Sequence, residues 1–160
     1  MNNFNVSINR LLGLEGGYVN NPKDPGGETN WGISKRSYPT ADIANLTRDQ
    51  AISLYKRDFW DSLKLDDLPL GVSYQMLDFA VNSGISPCVR AIQRSVGTVP
   101  DGIIGEHTLA AIKSTDAHDI VMRFLAERLE WMSGCKNWPD AGRGWVRRIA
   151  KDLRFGATDT

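Results

Sequence analysis

The chain has 160 residues, 41% hydrophobic and 24% charged, which suits one domain or two closely fused halves around a real core. Nineteen Lys and Arg residues balance nineteen Asp and Glu residues, which argues against a dedicated nucleic-acid binder. No run of about 18 apolar residues exists to span a bilayer, and two cysteines and two histidines fit no zinc spacing, so no zinc site is expected.

The N-terminal stretch MNNFNVSINRLLGLEGG lacks the basic start, apolar block and small-residue cleavage site of a signal peptide, so cytosolic residence is expected until something releases the protein. Phe4, Val6, Ile8, Leu11, Leu12 and Leu14 fit one helical face, and Gly16 and Gly17 supply the stop, which predicts a helix over 4–14. The segment from Val19 to Ser34 is crowded with Asn, Pro, Asp and Gly. It reads as loop with a short hairpin around DPGGE, and the small strand content belongs here.

In TRDQAISLYKRDFW, Thr47 with Gln50 three residues on makes a capping box. Ala51, Leu54, Tyr55 and Phe59 then recur at spacings of three and four, predicting a helix over 48–60 with a buried aromatic stripe. LDDLPLG holds the most plausible seam. Beyond it, helices are predicted over 72–81, ended by Gly84, and over 87–96, ended by Gly97. Three more are predicted over 106–113, 116–132 and 144–155. About seven helices and one polar excursion after the first make the chain mainly α.

Glu15 breaks a local rule. A carboxylate at a helix C-terminus faces unpaired carbonyls, at a cost of about 0.3–1 kcal/mol on an exposed helix. The same field, with Leu14 and Tyr18 as apolar neighbours, is expected to raise its pKa, as a proton donor near neutral pH requires. Glycoside hydrolysis employs a second carboxyl group across the scissile bond. Asp24 and Glu28 lie in the Gly-rich loop that follows Glu15, Thr29 is a candidate to hold a nucleophilic water, and Tyr18 and Trp31 offer flat faces to sugar rings. The same residues also fit a helix that frays into a polar loop with solvated acids, and spacing does not choose between the two.

LEGGYVNNPKDPGGETNWGIS, followed by TRDQAISLYKRDFW, closely resembles the glycosyl hydrolase 108 family over residues 4–66, the phage and bacterial muramidases marked by an EGG motif. The resemblance implies Glu15 as the catalytic acid. A looser similarity joins the stretch to the phage lysozymes, whose triad reads Glu, eight residues, Asp or Cys, five residues, Thr. Here eight residues separate Glu15 from Asp24 and four separate Asp24 from Thr29, and Glu28 remains a competing second carboxylate.

The second half holds no nucleophile and base pair. Gly102 and Gly105 serve a turn, and Asp101 and Thr108 are natural caps. AIQRSVG followed by VPDGIIGEHTLAAI nevertheless resembles the predicted peptidoglycan-binding domain that accompanies this family, with DFAVNSG as its first helix. The resemblances together imply a muramidase region over 1–66 and a helical peptidoglycan-binding-like region over 69–155, packed as one compact unit of lysozyme-like α+β fold. They imply Asp78, Asn82 and Asp101 as glycan contacts.

The activity implied, which calls for neither a metal nor an organic cofactor, is that of a monomeric phage-type endolysin that cuts the β-1,4 bond between N-acetylmuramic acid and N-acetylglucosamine in peptidoglycan. It would stay in the host cytoplasm until released to the periplasm and cell wall. A lytic transglycosylase and a non-catalytic peptidoglycan-binding module remain open. Arg143, Arg147, Arg148, Lys151 and Arg154 give the last helix a basic excess, read either as a solvated face or as an attraction to an anionic outer-membrane surface.

Overall fold

The computed structural model describes residues 2–14, 17–21 and 26–160, and its chain divides into two units, Met1–Ser62 and Leu63–Thr160. The first unit opens with α1 (Asn3–Leu14), whose buried Phe4, Ser7, Ile8, Leu11 and Leu12 repeat at helical spacing. Two short strands follow, β1 (Thr29–Asn30) and β2 (Ile33–Ser34), antiparallel with Thr29 opposite Ser34 and Asn30 opposite Ile33. Val19 pairs with the other edge of Thr29 through two backbone bonds of 2.8 Å.

The two-residue hairpin turns at Trp31 and Gly32; of the DPGGE stretch, Asp24 and Pro25 lie outside the described residues, and Val19 and Thr29 on either side of it are bridged antiparallel. Its two central residues have φ of +52° and +77°, the double left-handed geometry whose twist matches a two-residue hairpin. Gly32 accepts that conformation at no cost, whereas Trp31 adopts it under strain.

The capping box forms as read: the Thr47 hydroxyl accepts from the Gln50 N–H at 3.2 Å, and the Gln50 side chain accepts from the Thr47 N–H at 2.9 Å. This starts α2 (Arg48–Tyr55), which widens into a π-helix over Lys56–Asp61. The change of pitch moves the stripe. A step of five from Tyr55 buries Trp60, where it meets Phe4 edge-on at 5.2 Å, and leaves Phe59 only half-buried.

The second unit is built around α3 (Leu70–Ser83), buried continuously from Gly71 to Ala80. A helix buried on every face belongs at the centre of its bundle, and this one takes Ser73, Gln75 and Asp78 inside with it. Around it pack α4 (Ile85–Ser95), α6 (Ala117–Ser133) and α7 (Trp138–Asp159), with α5 (Glu106–Ser114) following the glycine turn after α4. Gly84 at φ +97° and Gly97 at φ +73° end α3 and α4, as their sequence positions suggest.

The last helix begins at Trp138, six residues before the expected start. Proline at position 139 is tolerated in the first turn, and Gly142 is there for packing: a Cβ would lie 2.9 Å from the Trp138 ring. Near the other end of α7, a Cβ on Gly156 would come within 2.7 Å of Val121 Cγ1 on α6. Valine cannot swing aside easily, so Gly156→Ala is expected to cost about 1–3 kcal/mol. A thermal melt should show this as a lower Tm with helical content unchanged. Among the described residues, no helix is long and apolar enough to cross a membrane.

Candidate active site

Glu15 and Asp24, the acid and one of its two candidate partners, lie outside the described residues. The structure does describe the hairpin that carries the remaining candidates. Tyr18 is 47% exposed and its hydroxyl donates to Glu28 Oε2 at 3.1 Å, so the phenol orients one of the candidate carboxylates. Thr29 spends its backbone N–H and carbonyl on Val19, which fixes the strand next to Glu28.

The hairpin is anchored from below. Asn30 Nδ2 donates to the carbonyls of Ile43 at 3.1 Å and Leu46 at 3.3 Å, and the Trp31 indole N–H donates to Leu46 at 3.1 Å. Tyr55, on α2, donates its hydroxyl to the Trp31 carbonyl at 2.9 Å. Left-handed backbone on a non-glycine residue costs about 1–3 kcal/mol, and it persists where surrounding bonds over-determine it. Here bonds from both the indole and the carbonyl of Trp31 do so. These bonds fix Trp31 in the turn, with Thr29 on the strand that leads into it and Glu28 just before that strand, and nothing in the sequence short of a Trp-Gly pair between two short strands signals it.

A groove of about 620 Å³ runs beside Leu46, walled by Ala41, Leu46 and Leu54, with Asp42 and Asp49 among its lining residues. Asn45 donates through its side chain and backbone to Asp42, which holds that carboxyl below the usual carboxylate range. This groove was not foreseen, because its walls come from a loop and a helix that each look unremarkable in sequence.

Of the three glycan contacts expected in the second half, Asp78 is corrected, while Asn82 and Asp101 are exposed. Asp78 is fully buried: Arg128 Nη1 lies 2.7 Å from one of its carboxylate oxygens and Arg148 Nη2 2.7 Å from the other. It ties α3 to α6 and α7 and presents nothing to a polymer. Asn82 donates to the Asp78 carbonyl one turn back along its own helix, at 2.7 Å. Asp101 organises the glycine turn, accepting from Gln93 Nε2 at 2.7 Å and from the Ile103 N–H at 2.9 Å. Arg148, expected on the basic face, is likewise committed to Asp78, whereas Arg143, Arg147, Lys151 and Arg154 are exposed.

The buried cluster has a second acid. Arg128 Nη1 also reaches Asp152 at 3.0 Å, Tyr74 donates its hydroxyl to Asp152 at 3.1 Å, and the guanidinium stacks 5.0 Å from the Phe79 ring centroid. Burial, which alone would raise the Asp78 pKa, is outweighed by Arg128 and Arg148, so its carboxyl sits below the ordinary range. Asp152 goes the other way: burial first, and then the negative charge of Asp78, push it up to about 7.

Asp116, His118 and Asp119 bring ligand atoms within 4.8 Å of one another on the surface. Asp116 caps α6 by accepting from the Asp119 N–H at 3.1 Å, and Asp119 pairs with Arg123 at 3.5 Å. A cation at this helix N-terminus would also meet the positive end of the dipole.

The sequence profile of the family described as Glycosyl hydrolase 108 matches residues 8–84. The solved structure of Brucella abortus SagA is similar at 34% identity and a TM-score of 0.88, over 98% of this chain and 94% of that one. The chain, mainly helical with one small sheet among the described residues, is thus of the lysozyme-like α+β class. No match was found among curated protein sequences.

Proposed function

The chain belongs to the glycosyl hydrolase 108 family, and we propose that it is a phage-type endolysin hydrolysing the β-1,4 bond between N-acetylmuramic acid and N-acetylglucosamine in bacterial peptidoglycan. The observation that carries this reading is the family match over 8–84, which takes in the EGG motif and the whole hairpin. In this reading Glu15 protonates the departing glycosidic oxygen. Asp24 or Glu28 stabilises the oxocarbenium-like transition state or takes the proton of the attacking water, and Thr29 holds that water.

The Tyr18 hydroxyl supports Glu28 as the second carboxylate, since its hydrogen bond aims that side chain. Tyr18 and the half-buried Trp31 supply the flat faces on which sugar rings rest. The protein acts as a monomer made in the host cytoplasm and reaches the wall on release. Residues 69–155 then serve to hold the glycan strand.

Mass spectrometry of the fragments released from purified Gram-negative peptidoglycan tests the reading. Fragments ending in reducing N-acetylmuramic acid are expected. Anhydromuramic ends would make the protein a lytic transglycosylase, and wall sedimentation without any fragments would make it a binding module.

A further inference from the structure

At the start of α7 a pocket of about 550 Å³ opens among Trp138, Pro139, Gly142, Arg143, Val146 and Arg147. The Trp138 ring lies over Gly142, which has no side chain to displace it, and Trp145 tilts against it at 6.1 Å. Arg143 and Arg147 stand one helical turn apart, where like charges oppose helix formation. Neither has an ion-pair partner among the described residues, and Lys151 and Arg154 continue the row, equally unpaired and exposed. An unpaired cationic row breaks a local rule without internal compensation, as ligand-binding surfaces do.

We propose that this pocket and the basic row beyond it bind the carboxylate-bearing, peptide-substituted glycan of the cell wall, a proposal that rests on the peptidoglycan reading. The Arg143 and Arg147 guanidinium groups match carboxylates in bidentate fashion. The Trp138 face, with Pro139 and Val146 beside it, suits the apolar face of a sugar ring. From Arg143 to Arg154 the row runs about 16 Å along the helix, the reach of a polymer segment rather than one small ion. A membrane surface fits less well: it calls for a projecting apolar face, whereas only Val146 and Leu153 offer large exposed apolar side chains on this helix.

The test uses the full chain carrying Glu15→Gln, so that binding is read without cleavage, and sedimentation with purified lipid-free sacculi. Adding Arg143→Gln and Arg147→Gln is expected to weaken binding at least about 10-fold and to flatten its salt dependence. Arg123→Gln, a single Arg-to-Gln change on α6, and each of Arg143→Gln and Arg147→Gln alone give the like-for-like comparison: Arg123→Gln is expected to leave binding unaltered while either of the other two weakens it, with thermal melts confirming that each variant is folded.

Unchanged sedimentation of the double variant would overturn the proposal. So would binding lost to phosphatidylglycerol vesicles but kept to sacculi, which would assign the row to a lipid surface. If the parent chain releases fragments from sacculi while the double variant sediments normally, only this inference fails. If the parent releases none, it is the hydrolase reading that fails.

Discussion

Glu15→Gln is expected to lower the release of reducing ends from peptidoglycan at least about 100-fold, at the low end of what a positioned general acid contributes. The substitution keeps the shape of the side chain and one hydrogen-bond acceptor, and removes the proton that the leaving oxygen needs. Circular dichroism and melting should therefore match the parent chain, separating a chemical loss from a folding loss. Near-parental hydrolysis would show that the family's acid does not act at this position. The same assay ranks the second carboxylate: if Glu28 fills that role, Glu28→Gln is as damaging as Glu15→Gln and Tyr18→Phe costs less. Full activity in Glu28→Gln hands the role to Asp24.

What could be read from the sequence was what local chemistry determines. The Thr47 and Gln50 capping box, the glycine stops at 84 and 97 and the α5 boundaries all depend on residues within a few positions of one another, and all appear in the structure. The EGG motif was legible for the same reason. The early start of α7 was missed because Gly142 and Gly144 count against a helix by propensity. Yet Gly142 is required by the Trp138 ring four residues earlier.

The π-helical segment hid the buried Trp60 behind an α-helical period that favoured Phe59. Asp78 misled most. DFAVNSG resembles the first helix of a peptidoglycan-binding domain, which implied a glycan contact, but the charge of Asp78 is answered by Arg128 and Arg148, far along the chain, and no local pattern announces such partners. The Trp31 turn was equally hidden, because two-residue hairpins of this type usually carry Asn-Gly or Asp-Gly.

Removing the cation that joins two buried acids should be the most damaging change to stability. Arg128→Met replaces a fully buried guanidinium with an apolar side chain and leaves Asp152 with only the Tyr74 hydroxyl and Asp78 with only Arg148 among their present side-chain partners. Breaking one side of a buried ion pair costs about 3–5 kcal/mol, which for a chain of this size is a fall in Tm on the order of 10 °C. The loss should depend on pH with a definite sign.

Asp152 titrates near 7 in the folded protein, above its unfolded value, so its protonated form is the one the fold tolerates. Its contribution is complete at low pH and is lost as pH rises through 7. Asp78, held below the ordinary range, contributes above that range and loses its contribution as pH falls through its folded value. The parent Tm should therefore decline from pH 6 to pH 8, and Asp152→Asn, which fixes the neutral form, should flatten that decline. The Arg128→Met deficit should be larger at pH 8 than at pH 6, because Arg128 matters most to Asp152 once that carboxyl is ionised. An Arg128→Met deficit independent of pH would place the whole effect on Asp78.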